Sequence, residues 1–298
     1  MNPGIIYATF AYMVWGLFPL YFKQIADVPA LEVVMHRTVW SLLFVVLLLL
    51  VLKRWAWIGQ VAKQPKVLGA FALSALLLSS NWLIYVWAVQ NQHVLDASLG
   101  YFILPLVNVT FAYAFLGERP RRGQWMAVGL AALGVVWLTI QTGRLPWVAL
   151  ALALTFGFYG LLRKVAVLGA LEGLTLETMM LAPFAAAYLV YGVAQGNSVL
   201  LQADASTMGW LAFAGPLTAI PLLLFAAGAR RIPMTTLGLL QYLSPSILFV
   251  MSVLLFKEPL QLPRLVGFAM IWGALVVYSL EGLVNNRRVR LVQAAQPG

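Results

Sequence analysis

Ten runs of roughly twenty mostly apolar residues follow one another along this chain of 298 residues and leave room for little else. A helix needs about 20 such residues to cross the hydrocarbon core of a bilayer. The runs are Gly4–Phe22, Val33–Leu52, Val67–Val89, Ala97–Leu116 and Gln124–Ile140, then Leu145–Leu162, Thr175–Val193, Gly209–Ala229, Thr235–Phe256 and Leu265–Leu283. The connections between them are short, so no extramembrane domain is expected. Lipid offers backbone amides no partners, which requires the spans to be helices. A transmembrane barrel would instead show alternating segments of roughly 10 residues. Only 9% of the residues are charged, against about 25% in soluble domains. The sequence therefore predicts an all-α integral membrane protein of about ten transmembrane helices.

The charges that remain set an orientation. Fourteen of the 19 Lys and Arg residues fall on one side if the N-terminus is inside: Lys53, Arg54, Lys63, Lys66, Arg119, Arg121, Arg122, Arg163, Lys164, Arg230, Arg231, Arg287, Arg288 and Arg290. The other five are Lys23, Arg37, Arg144, Lys257 and Arg264. Basic loops favour the cytoplasm, so both termini are expected there. The net charge of +10 is thus read as orientation and contact with anionic lipid, not as a nucleic-acid surface. The chain has no cysteine, which excludes disulfides, thiol catalysis and Cys-ligated metals. No cofactor is expected. The first span lacks a basic leader and runs directly into further spans, so it is read as a retained helix.

The two halves resemble one another. Leu99-Gly100, Pro105 and Glu118 recur as Leu237-Gly238, Pro245 and Glu258, with the same Pro-to-Glu separation. Trp15-Gly16 corresponds to Tyr159-Gly160, and Glu32 to Glu177. Each half holds five spans. An odd number makes successive copies lie upside down relative to one another, the arrangement of many alternating-access carriers. The expected organisation is a first repeat over 1–143, a second, inverted repeat over 144–284, and a basic cytoplasmic tail over 285–298.

Finer features point to a family. Gly117-Glu118-Arg119 closes the fourth span; Pro19-Leu20-Tyr21-Phe22-Lys23, His36-Arg37, Trp40-Ser41, Asn81-Trp82-Leu83 and Ala97-Ser98-Leu99-Gly100-Tyr101-Phe102 precede it. This pattern resembles the EamA modules of the drug/metabolite transporter superfamily, and in particular its RarD branch. The resemblance implies two five-helix EamA repeats, cytoplasmic termini, a bacterial inner-membrane location, a central pathway and export as the direction. It is weaker in the second half, where Lys257-Glu258-Pro259 departs from the Gly-Glu-Arg pattern.

Polar residues and prolines inside spans mark the candidate pathway. Tyr12, Trp15, Gly16 and Pro19 share one face of the first span, and Phe156, Tyr159, Gly160 and Arg163 one face of the sixth. Tyr101, Pro105 and Asn108 align on the fourth, as do Gln241 and Pro245 on the ninth, beside Tyr242 and Ser244. Asn81, Trp82 and Tyr85 lie deep in the third. An amide facing acyl chains is costly, so Asn108 and Gln241 should meet protein, water or solute. Pro19, Pro105 and Pro245 are candidate hinges. Packing by small residues explains the same positions equally well. Trp55, Trp57, Trp87, Trp125 and Trp147 read as interfacial belt residues.

Glu32 and His36 share a face at the outer entrance of the second span, next to Arg37. A water-filled vestibule there would let them couple or gate transport; an ion pair at the helix start, with Arg37 reaching headgroups, is the alternative. The function expected is secondary transport of a small amphipathic metabolite, amino acid or drug-like molecule by alternating access. The partners are that solute, the bilayer and, as an open alternative, further copies of the chain. A channel or scramblase is the competing reading. An intramembrane enzyme would need a clustered nucleophile, base or metal set, but His36 and His93 lie on predicted outer edges and the deep membrane has no acidic pair. No Walker A sequence indicates ATP hydrolysis.

Overall fold

Proline and polar caps mark several of the helix starts in the computed structural model, which describes residues 2–91, 94–142, 147–254 and 262–294. His93, Arg144 and the Lys257-Glu258-Pro259 segment lie outside the described residues, as do the side chains of Gln90, Ser98, Arg264, Arg287, Arg288 and Arg290. In chain order the helices are α1 (Pro3–Gly16), α2 (Phe18–Gln24), α3 (Ala30–Leu52), α4 (Trp57–Val61), α5 (Pro65–Gln90), α6 (Val94–Leu116) and α7 (Arg122–Thr142). They continue as α8 (Trp147–Val165), α9 (Ala170–Ala194), α10 (Ala205–Ala229), α11 (Met234–Leu240), α12 (Leu243–Leu254) and α13 (Leu262–Ala294). Among the described residues, ten stretches are long and apolar enough to span a membrane. The first is α1 with α2 and the ninth is α11 with α12; α4 lies outside the spans.

The caps follow local chemistry. Asn2 accepts from the Gly4 N–H at 2.8 Å with Pro3 at the first helical position, and Asp204 accepts from Thr207 at 2.8 Å. That bond holds the exposed Asp204 carboxyl below the usual carboxylate range. The two broken spans break near their prolines. Pro19 offers no N–H to the Trp15 carbonyl, and α1 gives way to α2 at Leu17. Pro245 likewise offers none to the Gln241 carbonyl, and α11 gives way to α12 over Gln241 and Tyr242. Pro105 behaves differently: α6 runs through it without interruption, so the expected hinge there is not seen as a break.

Two helix starts extend the sequence reading. The seventh span begins at Ala170, five residues before the expected Thr175, because Glu172 is paired with Arg54 at 2.7 Å and enters the helix buried. The second begins at Ala30 instead of Val33. Residues 285–294 of the expected tail continue α13.

Packing joins the early spans to the late ones. The first span packs on the eighth and ninth, the second on the seventh and eighth, the third on the sixth and seventh, the fourth on the sixth and ninth, and the fifth on the tenth. Exchanging each span with the one five places along maps this set of pairs onto itself. Where α3 crosses α10 the backbones touch: a Cβ on Gly215 would lie 2.5 Å from the Trp40 carbonyl oxygen. Ser41 Oγ donates to the Gly215 carbonyl at 3.2 Å at the same crossing. The largest core cluster, around Tyr12, Leu49, Leu78, Tyr159 and Phe225, closes the middle of the bundle. Trp87, Trp125 and Trp147 are exposed on its surface.

Candidate functional site

Aromatic side chains from opposing spans leave a gap that none of them fills. The result is a cavity of about 180 Å³ lined by seven spans. Tyr12, Trp15, Phe18, Pro19 and Phe22 come from the first, Arg37 from the second, and Asn81, Trp82 and Tyr85 from the third. The fourth contributes Ala97, Gly100, Tyr101 and Leu104, the sixth Leu152 and Phe156, the eighth Thr218 and Leu222, and the ninth Gln241, Ser244 and Pro245. The lining runs from the middle of the sixth, eighth and ninth spans toward the face where α2 and α5 end.

Ring contacts organise the wall. Trp15 lies 5.7 Å from Tyr12 and 5.8 Å from Phe156, while Tyr85 and Tyr101 meet edge-on at 6.5 Å. The Asn81 Nδ2 donates to the Leu152 carbonyl and to Thr155 Oγ1, both at 2.9 Å, which fixes the amide against the sixth span. Ser244 Oγ donates to the Tyr12 carbonyl at 2.6 Å, joining the broken first and ninth spans at the cavity. Arg37 is set between two rings, 4.8 Å from the Trp82 centroid and 5.6 Å from that of Phe18, and its Nε donates to Thr218 Oγ1 at 2.9 Å.

Of the side chains nominated from sequence, Tyr12, Trp15, Asn81, Trp82, Tyr85, Tyr101 and Gln241 line this cavity, with Pro19 and Pro245. Asn108, Tyr159 and Tyr242 do not. Asn108 is buried behind Gln241 and donates to its Oε1 at 2.8 Å. The Tyr242 hydroxyl donates to the Phe102 carbonyl at 3.2 Å. The Tyr159 hydroxyl is buried against Glu177 Oε2 at 3.5 Å. Pro105 also lies outside the lining; its carbonyl is where α11 approaches, since a Cβ on Gly238 would stand 2.9 Å from it.

The Glu32, His36 and Arg37 group divides. Glu32 and His36 are both buried, not solvated in a vestibule. Glu32 Oε1 accepts from Ser198 Oγ at 2.5 Å and from the Val199 N–H at 3.0 Å, tying the start of α3 to the segment before α10. His36 Nε2 has no hydrogen-bond partner. Arg37, expected to reach headgroups, turns inward to the cavity instead because two rings and a hydroxyl receive it there.

The opposite face of the bundle is closed by contacts that the sequence did not reveal. Glu118 accepts from the Met234 N–H at 2.7 Å, the Thr235 N–H at 3.0 Å and the Thr235 hydroxyl at 2.9 Å. A carboxylate thus caps the start of the ninth span. Gly117, at φ 65°, makes the turn that delivers it. Lys164 Nζ reaches the Ile232 carbonyl at 2.7 Å and Glu118 at 3.8 Å. Beneath lies a buried ion pair, Arg163 with Glu177 at 3.6 Å, with Ser74 donating to the same carboxylate at 2.5 Å. Arg163, expected at the cytoplasmic margin, is in fact 1% exposed. Its place on the Tyr159 face was the available signal.

Comparison with known proteins fits this geometry. The EamA-like transporter family matches residues 2–140. An uncharacterized transporter of Pseudomonas aeruginosa is 46% identical over all of this chain and 98% of that protein. RarD proteins of Streptomyces exfoliatus and Escherichia coli are 44% and 42% identical, over 99% and 96% of this chain and 94% and 96% of their own. The chain belongs to the EamA-like transporter family. Within that family it groups with the RarD proteins, which makes it a multi-pass bacterial membrane transporter. A crystal structure 18% identical superposes with a TM-score of 0.70 over 94% of this chain and 98% of that one, so the two share one fold over nearly their whole length. The cavity and the Glu118 cap are therefore features of a transporter bundle.

Proposed function

We propose that this transporter is a secondary carrier for small amphipathic organic solutes, working by alternating access. The observation that carries the reading is the aromatic cavity itself. Spans one to four and spans six, eight and nine contribute to it, so it lies between the two halves read as repeats over 1–143 and 144–284. Relative rocking of inverted halves would expose such a site to each side in turn. The cavity reaches toward one face while Glu118 and Lys164 fasten the other. With both termini in the cytoplasm, this is an outward-facing arrangement. The breaks at Leu17 and at Gln241–Tyr242 supply the hinges in this reading.

The aromatic walls suit an apolar or aromatic solute, and Gln241, Asn81 and Arg37 suit a polar group on it. Among the three charged residues nominated for gating, only Arg37 reaches the cavity, so gating is assigned to it. Glu32 and His36 are read as anchors of α3. Export follows the family resemblance.

Reconstitution into proteoliposomes tests the mechanism. A carrier preloaded with unlabelled solute should accumulate labelled solute transiently by counterflow. A channel or scramblase would dissipate the gradient with no overshoot, and that result would remove the alternating-access reading.

A further inference from the structure

Four cations of the bundle are paired with carboxylates among the described residues. Arg54, Arg121, Arg163 and Lys164 each face a carboxylate. Arg37 faces none among the described residues, and no described Asp or Glu lines the cavity it enters. Its Nε is committed to Thr218, and its guanidinium plane is held by Trp82 and Phe18. Rings stabilise a cation without neutralising it. The terminal nitrogens of the fork make no hydrogen bond to a described group. A guanidinium held this way presents two parallel N–H groups, the arrangement that receives a carboxylate bidentately. The same cavity is walled by Trp15, Tyr85, Tyr101 and Phe156.

We infer that the cavity takes an aromatic carboxylic acid as its anion, with the carboxylate on Arg37 and the ring among Trp15, Tyr85, Tyr101 and Phe156. This rests on the carrier reading of the same cavity and narrows its substrate class. Arg37 is half-buried in a mostly apolar lining, where an opposite charge nearby stabilises it, and the solute supplies it. The described lining offers no carboxylate to a ligand ammonium, so a zwitterionic amino acid leaves its own cation unmatched there and an organic amine meets a like charge. The acid carries the one charge the site lacks.

Three probes separate these classes on one ring system: indole-3-propionate, its neutral amide indole-3-propionamide, and the cation tryptamine. Binding to the purified full-length protein is read by isothermal titration calorimetry. Proteoliposome counterflow is measured with the same probes. The acid should bind at least roughly tenfold more tightly than the amide, as a charge-assisted pair requires, and tryptamine should be weakest. Arg37→Met should erase the difference between acid and amide, and Arg37→Lys should restore part of it without the bidentate contact. Equal binding of acid and amide by the unaltered protein overturns the inference, and needs no variant to fold. So does an acid preference that survives in Arg37→Met, or no binding of any probe. Counterflow of acid and amide at equal rates leaves the carrier reading standing and removes only the anion preference. Arg37-dependent binding of the acid without counterflow does the reverse.

Discussion

Asn108 and Gln241 meet across 2.8 Å between the fourth and ninth spans, and only Gln241 also faces the cavity. The bond is a packing device on one side and a means of holding a solute-facing amide on the other. Either truncation, Asn108→Ala or Gln241→Ala, should cost about 0.6 kcal/mol and no more than about 1.7 kcal/mol of stability, the span of interhelical hydrogen bonds in membranes. The double variant should cost little more than either single one. Counterflow should separate them: Gln241→Ala is expected to lower it several-fold, Asn108→Ala less. Equal transport losses in step with thermal stability would reduce Gln241 to a packing residue.

Glu118 is the acidic residue of the Gly-Glu-Arg pattern, and the structure gives it work beyond family resemblance. It satisfies two N–H groups at the start of α11. Glu118→Ala should cost about 1 kcal/mol, as other lost N-caps do. It should also loosen the closed face. A cysteine introduced at Met234, which is fully buried behind the cap, should react faster with a maleimide in the Glu118→Ala background. An unchanged labelling rate would mean that the cap does not hold that face shut.

The Arg163–Glu177 pair is 1% and 0% exposed. Removing one partner leaves the other charge buried and uncompensated. Arg163→Met is expected to destabilise by about 3–5 kcal/mol, whereas the double variant Arg163→Met with Glu177→Gln should recover most of the loss. Unfolding in graded denaturing detergent measures both. Additive losses would show that the two side chains are not coupled.

Orientation is open to a direct test, since the chain has no cysteine of its own. Asp27 and Arg121 are both exposed, on opposite faces of the bundle. A membrane-impermeant thiol reagent added to intact cells should label a cysteine at 27 and spare one at 121. The reverse pattern would invert the assignment of the termini and make the cavity inward-facing.

The bundle was legible in the sequence because apolar length alone specifies a span. The break in the first span was legible too, since Pro19 removes a backbone donor. The continuity of α6 through Pro105 was not, because neighbouring helices can support a proline without a break. The cavity was half legible. In a soluble helix, polarity separates the buried face from the exposed one; here lipid makes both faces apolar, so Tyr12 at the cavity and Tyr159 behind it look alike. Only partners from distant spans tell them apart: Glu177 claims Tyr159, Trp82 and Thr218 claim Arg37. Thr218 itself was a faint sign, a lone hydroxyl between Pro216 and Pro221 in the apolar body of α10.

The unmatched guanidinium of Arg37 also has an electrical consequence. A fixed charge that lacks a counter-charge feels the membrane potential, about 2.3 kcal/mol per 100 mV for a complete crossing. In the proposed carrier, an anion in the cavity would make the pair neutral and leave reorientation of the loaded protein without that voltage dependence. Empty, the protein would carry one positive charge through whatever fraction of the field its rocking spans. An inside-negative potential would then draw that charge toward the cytoplasmic side, so the resting membrane itself would bias which way an idle transporter faces.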